Sequence, residues 1–251
     1  MLQLDRSRQA MEQPRFAASV AATSADIEEA LRLRWQVFVK EQGAHADADS
    51  PPGIETDRFD AYCHHLVVRD LENDVAVGTY RVLMADQAEA LGGFYTEQEF
   101  DLCGLAEYRR FIVEIGRSCV HPDYRGGVVI AMLWTGLAGL ILGTDARFLI
   151  GCASISMRDG GREAASVYHK LATERMCAPE HRMIPRVPLQ LDTMTPDASV
   201  KPPPLIKGYL RAGAEIAGPP AVDMAFGTAD LPMLLTLDRL APRYARHFAT
   251  A

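Results

Sequence analysis

Apolar residues along this chain fall into two kinds of run. Some recur every three or four positions, the spacing that gives a helix one apolar face. Ile27, Leu31, Trp35 and Phe38 do so between Ile27 and Gln42. Thr23, Ser24 and Asp26 supply N-cap chemistry ahead of them, and Gly43 supplies a stop. Ala165, Tyr168, Leu171 and Ala172 repeat the pattern within Gly161 to Met176. Other runs are short and almost continuously apolar, as in strands covered on both faces. Phe16 to Ala22, His65 to Arg69, Val75 to Leu83, Phe111 to Val120 and Arg147 to Ile155 read this way. Leu71 to Asp74 joins the second and third into a hairpin. A short helix is predicted at Glu97 to Leu105, and two late strands at Lys207 to Ile216 and Ala221 to Phe226. A last helix is predicted over 229–248. Helices and strands interleave without strict βαβ alternation. The expected fold class is therefore α/β (α+β), with a mixed central sheet flanked by helices on both faces.

Residues 1–13 are polar and read as a loose N-terminus, so a single domain is expected over 14–251. Residues 45–52 shift to Ala, Asp, Ser and Pro and form a loop. Residues 177–206 hold seven prolines. An irregular excursion of that length suggests a functional covering rather than a plain connector.

The stretch that carries most chemistry is FIVEIGRSCVHPDYRGG, Phe111 to Gly127. An apolar strand meets the turn His121-Pro122-Asp123, then Arg125-Gly126-Gly127, and opens the apolar run Val128 to Leu142. A strand that turns into a helix through glycines leaves backbone N–H groups free at the helix N-terminus, which is an anion site. Glu114 and Arg117 lie inside the strand. They are three apart, which places them on opposite faces of the pleat. Charges in such a strand are expensive to bury unpaired, so this is read as half of a site that handles a phosphate-bearing cofactor.

Composition narrows the choice. The chain is 48% hydrophobic and 24% charged, with a net charge of −7. That acidity argues against nucleic acid as a partner. The five cysteines are scattered without a C-x-x-C pair. With no signal-peptide pattern they are read as reduced thiols in the cytoplasm. Val128 to Leu142 falls short of the ~20 residues needed to span a bilayer, so peripheral contact with the inner membrane is the most that is left open. His64 and His65 are adjacent, point to opposite faces of a strand, and cannot readily share an ion; no metal is expected.

The element order, with Val120-His121-Pro122-Asp123-Tyr124-Arg125-Gly126-Gly127 and the later helix segment Ala164 to Leu171, resembles the GCN5-related N-acetyltransferase fold. The resemblance implies that Val120, His121, Arg125, Gly126 and Gly127 bind the phosphate of a pantetheine donor, and that Tyr168 lies near the departing sulfur. The loop lacks the family's later glycines, having Val128 and Val129 instead. Their side chains are expected to crowd a pyrophosphate, which favours the single phosphate of a carrier-borne phosphopantetheine. Arg34-x-x-x-Phe38, Asp57-x-x-Asp60, Arg81 and Glu114-x-x-Arg117 match the polar signature of acyl-homoserine-lactone synthases. Six segments between residues 34 and 230 are further similar to the bacterial ornithine–acyl carrier protein N-acyltransferases, often labelled haemolysin-like, which make lyso-ornithine lipid.

That resemblance implies transfer of a 3-hydroxy fatty acyl chain from acyl carrier protein to the α-amine of ornithine. No cofactor would be tightly bound, and acyl-coenzyme A is the alternative donor. Other acceptors such as glutamine or glycine, a signal synthase and a non-catalytic acyl-carrier sensor are the competing readings. At neutral pH an α-amine is protonated, so a base must act first. Glu114 is the candidate base, because burial raises a carboxylate's pKa; a structural ion pair with Arg117 or Arg81 is its alternative. Tyr168 is the candidate acid. Arg117 and Arg81 are candidates for the substrate carboxylate, and Arg34 is a candidate for substrate binding. Glu55, Asp57 and Asp60 are candidates for the ornithine ammonium, and Phe38 for substrate contact. Trp35, Phe94, Tyr95, Met132 and Trp134, with Phe38, are candidates for an acyl slot. Arg125, Arg147, Arg158, Arg162 and Lys170 are expected to form a basic patch for the acidic carrier. Asp223 and Lys207 carry no assignment.

Overall fold

The computed structural model describes residues 14–141 and 143–239. Strand β1 (Phe16–Val20) is followed by α1 (Ser24–Arg34), whose N-cap Thr23 and Asp26 form a reciprocal capping box. The chain continues as π-helix over Trp35–Glu41 and stops at Gly43, whose φ is +81°. The hairpin β2 (His64–Asp70) and β3 (Val75–Leu83) comes next, then α2 (Ala85–Leu91). Phe100–Asp101 forms β4, Ile112–Val120 forms β5, and Val128–Ile141 forms α3. Then come β6 (Phe148–Ser156) and α4 (Arg162–Glu174). The proline-rich stretch holds β7 (Ile184–Pro185), which pairs with β4. The chain closes with α5 (Pro204–Ala212), β8 (Glu215–Ile216), β9 (Ala221–Asp223) and β10 (Thr228–Thr236).

The main sheet runs β1-β2-β3-β5-β6-β10-β8, with β9 beside β10. Every pairing is antiparallel except β5 with β6. Helices α3, α4 and α5 pack one face through Leu133, Leu137, Val167, Leu171 and Ile206. The other face is covered by α1 through Leu33, by its π-helical continuation through Val37, and by a second cluster that includes Phe59, Phe94, Phe100 and Leu105. The expected mixed sheet with helices on both faces is therefore present.

The parallel pairing is short. It registers Ile112 with Phe148, Val113 with Leu149 and Glu114 with Ile150, and goes no further. Beyond that point β5 stays with β3 and β6 stays with β10, so the two central strands diverge and open a fork in the sheet. Gly151 sits at its vertex, where a Cβ would lie 2.4 Å from the Ile115 carbonyl oxygen.

Three expectations are corrected. Residues 204–212 form helix rather than strand: Pro204 is pre-set for a first helical turn and Gly213, at φ +108°, ends it. Residues 228–236 form strand rather than the start of a terminal helix. Thr228 and Asp230 mimic N-cap chemistry, but the continuous apolar run Leu231 to Leu235 pairs with β6. Pro232 falls in the gap between the β9 pairing, which ends at Asp230, and the β8 pairing, which begins at Met233. Residues 97–105 hold 3₁₀ turns and β4 instead of one helix, while α2 went unpredicted. The expectations for residues 1–13 and 240–248 lie outside the described residues. No helix among the described residues is long and apolar enough to cross a membrane.

Gly151→Ala pushes a methyl into the backbone of β5. Overpacking of this kind should cost roughly 1–3 kcal/mol, or about 2–10 °C in Tm for a chain of this size. A thermal scan showing no loss of Tm would mean that the fork tolerates a wider vertex than its geometry implies.

Candidate active site

Three arginines and three carboxylates close a ring below the fork. Arg34, on the last turn of α1, is completely buried. Its Nε donates to Glu55 at 2.5 Å, and its two terminal nitrogens donate to Asp60 at 2.6 and 3.1 Å. Arg81 on β3 donates to Asp60 at 3.1 Å and to Asp57 at 2.6 Å. Arg117 on β5 donates to Asp57 at 3.0 Å and returns to Glu55 at 3.1 Å. The circuit Arg34, Asp60, Arg81, Asp57, Arg117, Glu55 is charge-neutral. Loop 54–60 is thereby tied to α1, β3 and β5 at once. Asp60 also accepts from Thr56 Oγ1 and the Asp57 N–H, and the His65 Nε2 lies 3.1 Å from the Asp60 carbonyl oxygen. Burial alone would raise the Asp60 carboxyl, but the charges of Arg34 and Arg81 outweigh it and hold it well below the ordinary carboxylate range.

The ring changes the reading of its acids. Glu55, Asp57 and Asp60 are committed to arginines, so none of them stands free for a substrate ammonium. Arg34 faces none of the cavities described below.

Glu114 and Arg117 do not lie on opposite faces. β3 residues Thr79 and Arg81 pair with Cys119 and Gly116, so β5 carries one extra residue there, a β-bulge. Arg117 takes φ +49°, and its side chain turns onto the same face as Glu114. Glu114 pairs with neither arginine. It accepts from the Tyr95 and Thr96 N–H groups, both at 2.7 Å, and from the Thr96 hydroxyl. Burial raises its pKa, and these hydrogen bonds oppose the rise without cancelling it. The Arg117 guanidinium lies between Tyr95 and Phe226, at 4.6 and 4.5 Å from the ring centroids.

Three cavities meet at the fork. A polar chamber of about 170 Å³ is lined by Glu114, Arg117, Arg81, Phe38, Tyr95, Cys152, Asp223 and Asp230, among others. A narrow and almost wholly apolar slot runs between β5, β6 and β10, lined by Trp134, Leu137, Met233 and Leu235. An open groove of about 710 Å³ follows the N-terminal turns of α3, lined by Val120, Arg125, Gly127, Ile130, Ala131 and Gly208. Tyr209 and Cys152 border both chamber and slot, Trp134 borders slot and groove, and Ser118 borders groove and chamber. The Tyr209 hydroxyl is 2.8 Å from that of Tyr80, its ring stacks on Trp134, and burial pushes its pKa up.

Other expected residues are distributed differently. Tyr168 is half-buried on α4 and lines none of these cavities. His121 and Gly126 do not line the groove. The His121 N–H donates to Val77, its Nε2 contacts Gln36, and Arg125 forms a bidentate pair with Glu41 at 2.7 Å. Val128 is exposed, while Val129 is buried against Gly78. Neither valine lines the groove, so the argument from crowding of a pyrophosphate falls. Of the acyl-slot candidates only Trp134 lines the apolar slot; Phe38 and Tyr95 line the chamber instead. The expected basic patch assembles only in part: Arg125 bonds Glu41 and Arg158 bonds the neighbouring Gln42 carbonyl, but Arg147 and Lys170 lie elsewhere. Arg147 and Arg158 flank opposite ends of β6, roughly 30 Å apart at strand spacing, and Arg147 stacks on Tyr108, Phe111 and Phe148. Lys170 instead joins Arg175, Lys207 and Arg211 along a cleft that shares Arg211 with the groove.

Sequence reasoning missed Tyr209, Glu99 and Asp230. Tyr209 was lost with the helix that carries it. Leu205, Ile206, Tyr209 and Leu210 had offered the three-to-four spacing that would have found it.

Breaking the ring strands buried charge. Arg34→Met should destabilise the fold by about 3–5 kcal/mol. Stability carried by the lowered pKa of Asp60 is complete above the unfolded carboxylate value near pH 4 and is lost as pH falls toward the folded value. Denaturant midpoints should therefore fall more steeply below pH 4 in the wild type than in Arg34→Met. Parallel curves would show that the ring does not set the acid limb.

Residues 33–135 match a family profile described as an acetyltransferase (GNAT) domain. The L-ornithine N(alpha)-acyltransferase of Rhodobacter capsulatus is 34% identical, over 94% of this chain and 95% of that protein. The L-ornithine N(alpha)-acyltransferase of Brucella abortus is 33% identical, over 91% of this chain and 87% of that one. Among solved structures, the acyl-homoserine-lactone synthase LasI superposes with a TM-score of 0.52 at 15% identity, over 88% of this chain and 90% of that one. MesI, a CoA-dependent acyl-homoserine lactone synthase, superposes with a TM-score of 0.51 at 14% identity, over 90% and 88%. Identity that low speaks for the fold alone. The sequence matches carry the assignment: a third of positions identical along nine-tenths of its length, this chain belongs to the L-ornithine N(alpha)-acyltransferase family.

Proposed function

We propose that this chain transfers a fatty acyl group, 3-hydroxylated in the family reading, from a phosphopantetheine thioester to the α-amine of L-ornithine, giving lyso-ornithine lipid. One observation carries the reading beyond the relatives' names: a groove at a helix N-terminus, an apolar slot and a charged chamber converge at one fork. Amide formation from a thioester needs those three spaces, for the pantetheine arm, the acyl chain and the amino acid.

The groove lies where the first N–H groups of α3 have no intrahelical acceptor, which suits the donor's phosphate. Val120 and Gly127 line it and are proposed donor contacts; the Arg125 side chain stands beside it, already paired with Glu41. Glu114 is the proposed base. It borders the chamber with a raised pKa, and takes a proton from the substrate ammonium. The freed amine attacks the thioester carbon, the tetrahedral oxyanion collapses, the carbon–sulfur bond breaks, and the thiolate regains a proton. Tyr209, which borders chamber and slot together, is better placed than Tyr168 to give that proton. Arg117 has donors left after its two carboxylate bonds and is the proposed contact for the substrate carboxylate. Arg34, Glu55, Asp57, Asp60 and Arg81 act by holding Arg117 and the chamber wall.

Acyl carrier protein is the proposed donor partner, with acyl-coenzyme A the alternative. The cleft of Lys170, Arg175, Lys207 and Arg211 beside the groove supports an acidic carrier.

Free-thiol release with hydroxyacyl carrier protein and a panel of amino acids tests the reaction. Ornithine should release thiol faster than glutamine or glycine; equal rates would remove the ornithine assignment. Glu114→Gln should lose about 10²–10⁴ in turnover at pH 7. Wild-type kcat/KM should rise as pH climbs through the raised Glu114 pKa, whereas the variant should recover only toward the amine's own pKa. Unchanged turnover at pH 7 would remove Glu114 as base. Lys170→Glu with Lys207→Glu should raise KM for the carrier several-fold at low salt and leave KM for ornithine alone; an unchanged carrier KM would remove the cleft as a docking surface.

A further inference from the structure

A second set of acids, separate from the arginine ring, lies in the chamber wall and behind it: Asp223 and Asp230 line the chamber, and Glu99 stands behind them against Cys152 and Asp230. Asp230, on β10, is 3% exposed. One of its oxygens accepts from the Thr228 hydroxyl at 2.8 Å. Glu99, just ahead of β4, has both carboxylate oxygens shut off from solvent and without any hydrogen-bond donor. The nearest ligating atoms of Glu99, Cys152 and Asp230 all lie within 4.8 Å of one another. Asp223, on β9, lines the same chamber and pairs in register with Thr228. Among the described residues none of these three acids has an ion pair. The guanidinium of Arg117, which acts on Glu99 electrostatically, is bonded to Glu55 and Asp57.

A buried carboxylate without a donor or a counter-charge is costly. The cluster answers by holding a proton more tightly than free carboxylic acids do. Burial and the neighbouring acids push Glu99 well up, and burial pushes Asp230 up as well. What the cluster lacks is one compact cation with several donors. A primary ammonium has three donors and one positive charge. A metal ion suits the site less well, because Cys152 would have to ligate as thiolate and burial holds its thiol protonated. Cys152 also interacts electrostatically with Glu114, Glu99 and Asp230, so the proposed base and the cluster lie around one side chain.

We propose that Glu99, Asp223 and Asp230 form the subsite for the side-chain ammonium of a diamino-acid acceptor, with its α-amine toward Glu114. The proposal rests on the ornithine reading and supplies the acids that the ring residues do not. It also implies proton exchange: the entering ammonium replaces the proton held by Glu99 and Asp230, and that proton leaves to solvent.

The test compares L-ornithine with L-norvaline, which has the same carbon skeleton without the terminal ammonium. Calorimetric titrations of the whole chain at pH 7, in two buffers of different ionisation enthalpy, read affinity and protons together. The wild type should bind ornithine at least about tenfold more tightly than norvaline, as expected for a charge-assisted hydrogen-bond set, with net proton release. Glu99→Gln and Asp230→Asn should each bring the two ligands to within about threefold and abolish the release. Thermal scans identify a variant that has not folded, and the wild-type comparison then decides alone. Equal affinities in the wild type, no ornithine binding, or a preference that survives in both folded variants would overturn the subsite. So would a stoichiometric divalent ion in the purified protein that is lost in Glu99→Gln. Thiol release tells this from the wider reading. Ornithine bound with proton release but never acylated keeps the subsite and removes the reaction. Ornithine and norvaline acylated equally well keep a reaction and remove the subsite.

Discussion

A buried ring of alternating guanidinium and carboxylate groups is the constraint on which the rest of this structure depends. Six charges lie at the join of α1, β3, β5 and loop 54–60, and each arginine touches two acids. Removing any one leaves a buried partner uncompensated, which is why such sets hold together or fail together. The ring has two effects on the chamber. It fixes Arg117 in a conformation its backbone would otherwise disfavour, at φ +49°. It also fastens Phe59 and the loop above it as one wall, with Arg81 stacked over Phe59 and Tyr95.

The sheet supplies the second constraint. A parallel pair that registers over only three residues and then parts is a wedge of missing hydrogen bonds in mid-sheet. The slot and the chamber are lined from both edges of that wedge, and the groove lies along its β5 edge between α3 and α5. Gly151 allows the vertex to close tightly, and the bulge in β5 rotates Arg117 into the chamber. Fork and bulge together convert an ordinary strand-turn-helix unit into a junction where three differently lined spaces meet.

Much of this was legible in the sequence, and the reasons for what was not are specific. The capping box at Thr23, the hairpin, the turn from β5 into α3 and the interleaving of elements are local signals, and local signals survive folding. Arg34, Asp57, Asp60, Arg81, Glu114 and Arg117, far apart in sequence, lie side by side in the fold. Their mutual pairing was invisible, because spacing along a chain does not say which acid meets which arginine in three dimensions. The acids in loop 54–60 looked available and are neutralised. Glu99 and Asp230 looked incidental and face one another. Period-two reasoning set Glu114 and Arg117 on opposite faces because one extra residue in a strand leaves no mark on composition. The two late elements were exchanged for a related reason: Pro204 and Gly213 bound a helix too short for its periodicity to stand out, and Thr228 to Asp230 imitated a cap at the head of a strand.

The neutrality of the ring has a consequence for the space beside it. The ring's six charges cancel, so it adds no net charge to the chamber, and among the described residues the acids lining that space without an ion pair are Glu114, Asp223 and Asp230. At the other end of the connected void, Lys170, Arg175, Lys207 and Arg211 line the rim. Acids thus gather at the inner end of the void and most of the basic side chains at its rim, with an apolar branch between. A cation and an anion drawn to this void would therefore come to rest at opposite ends of it.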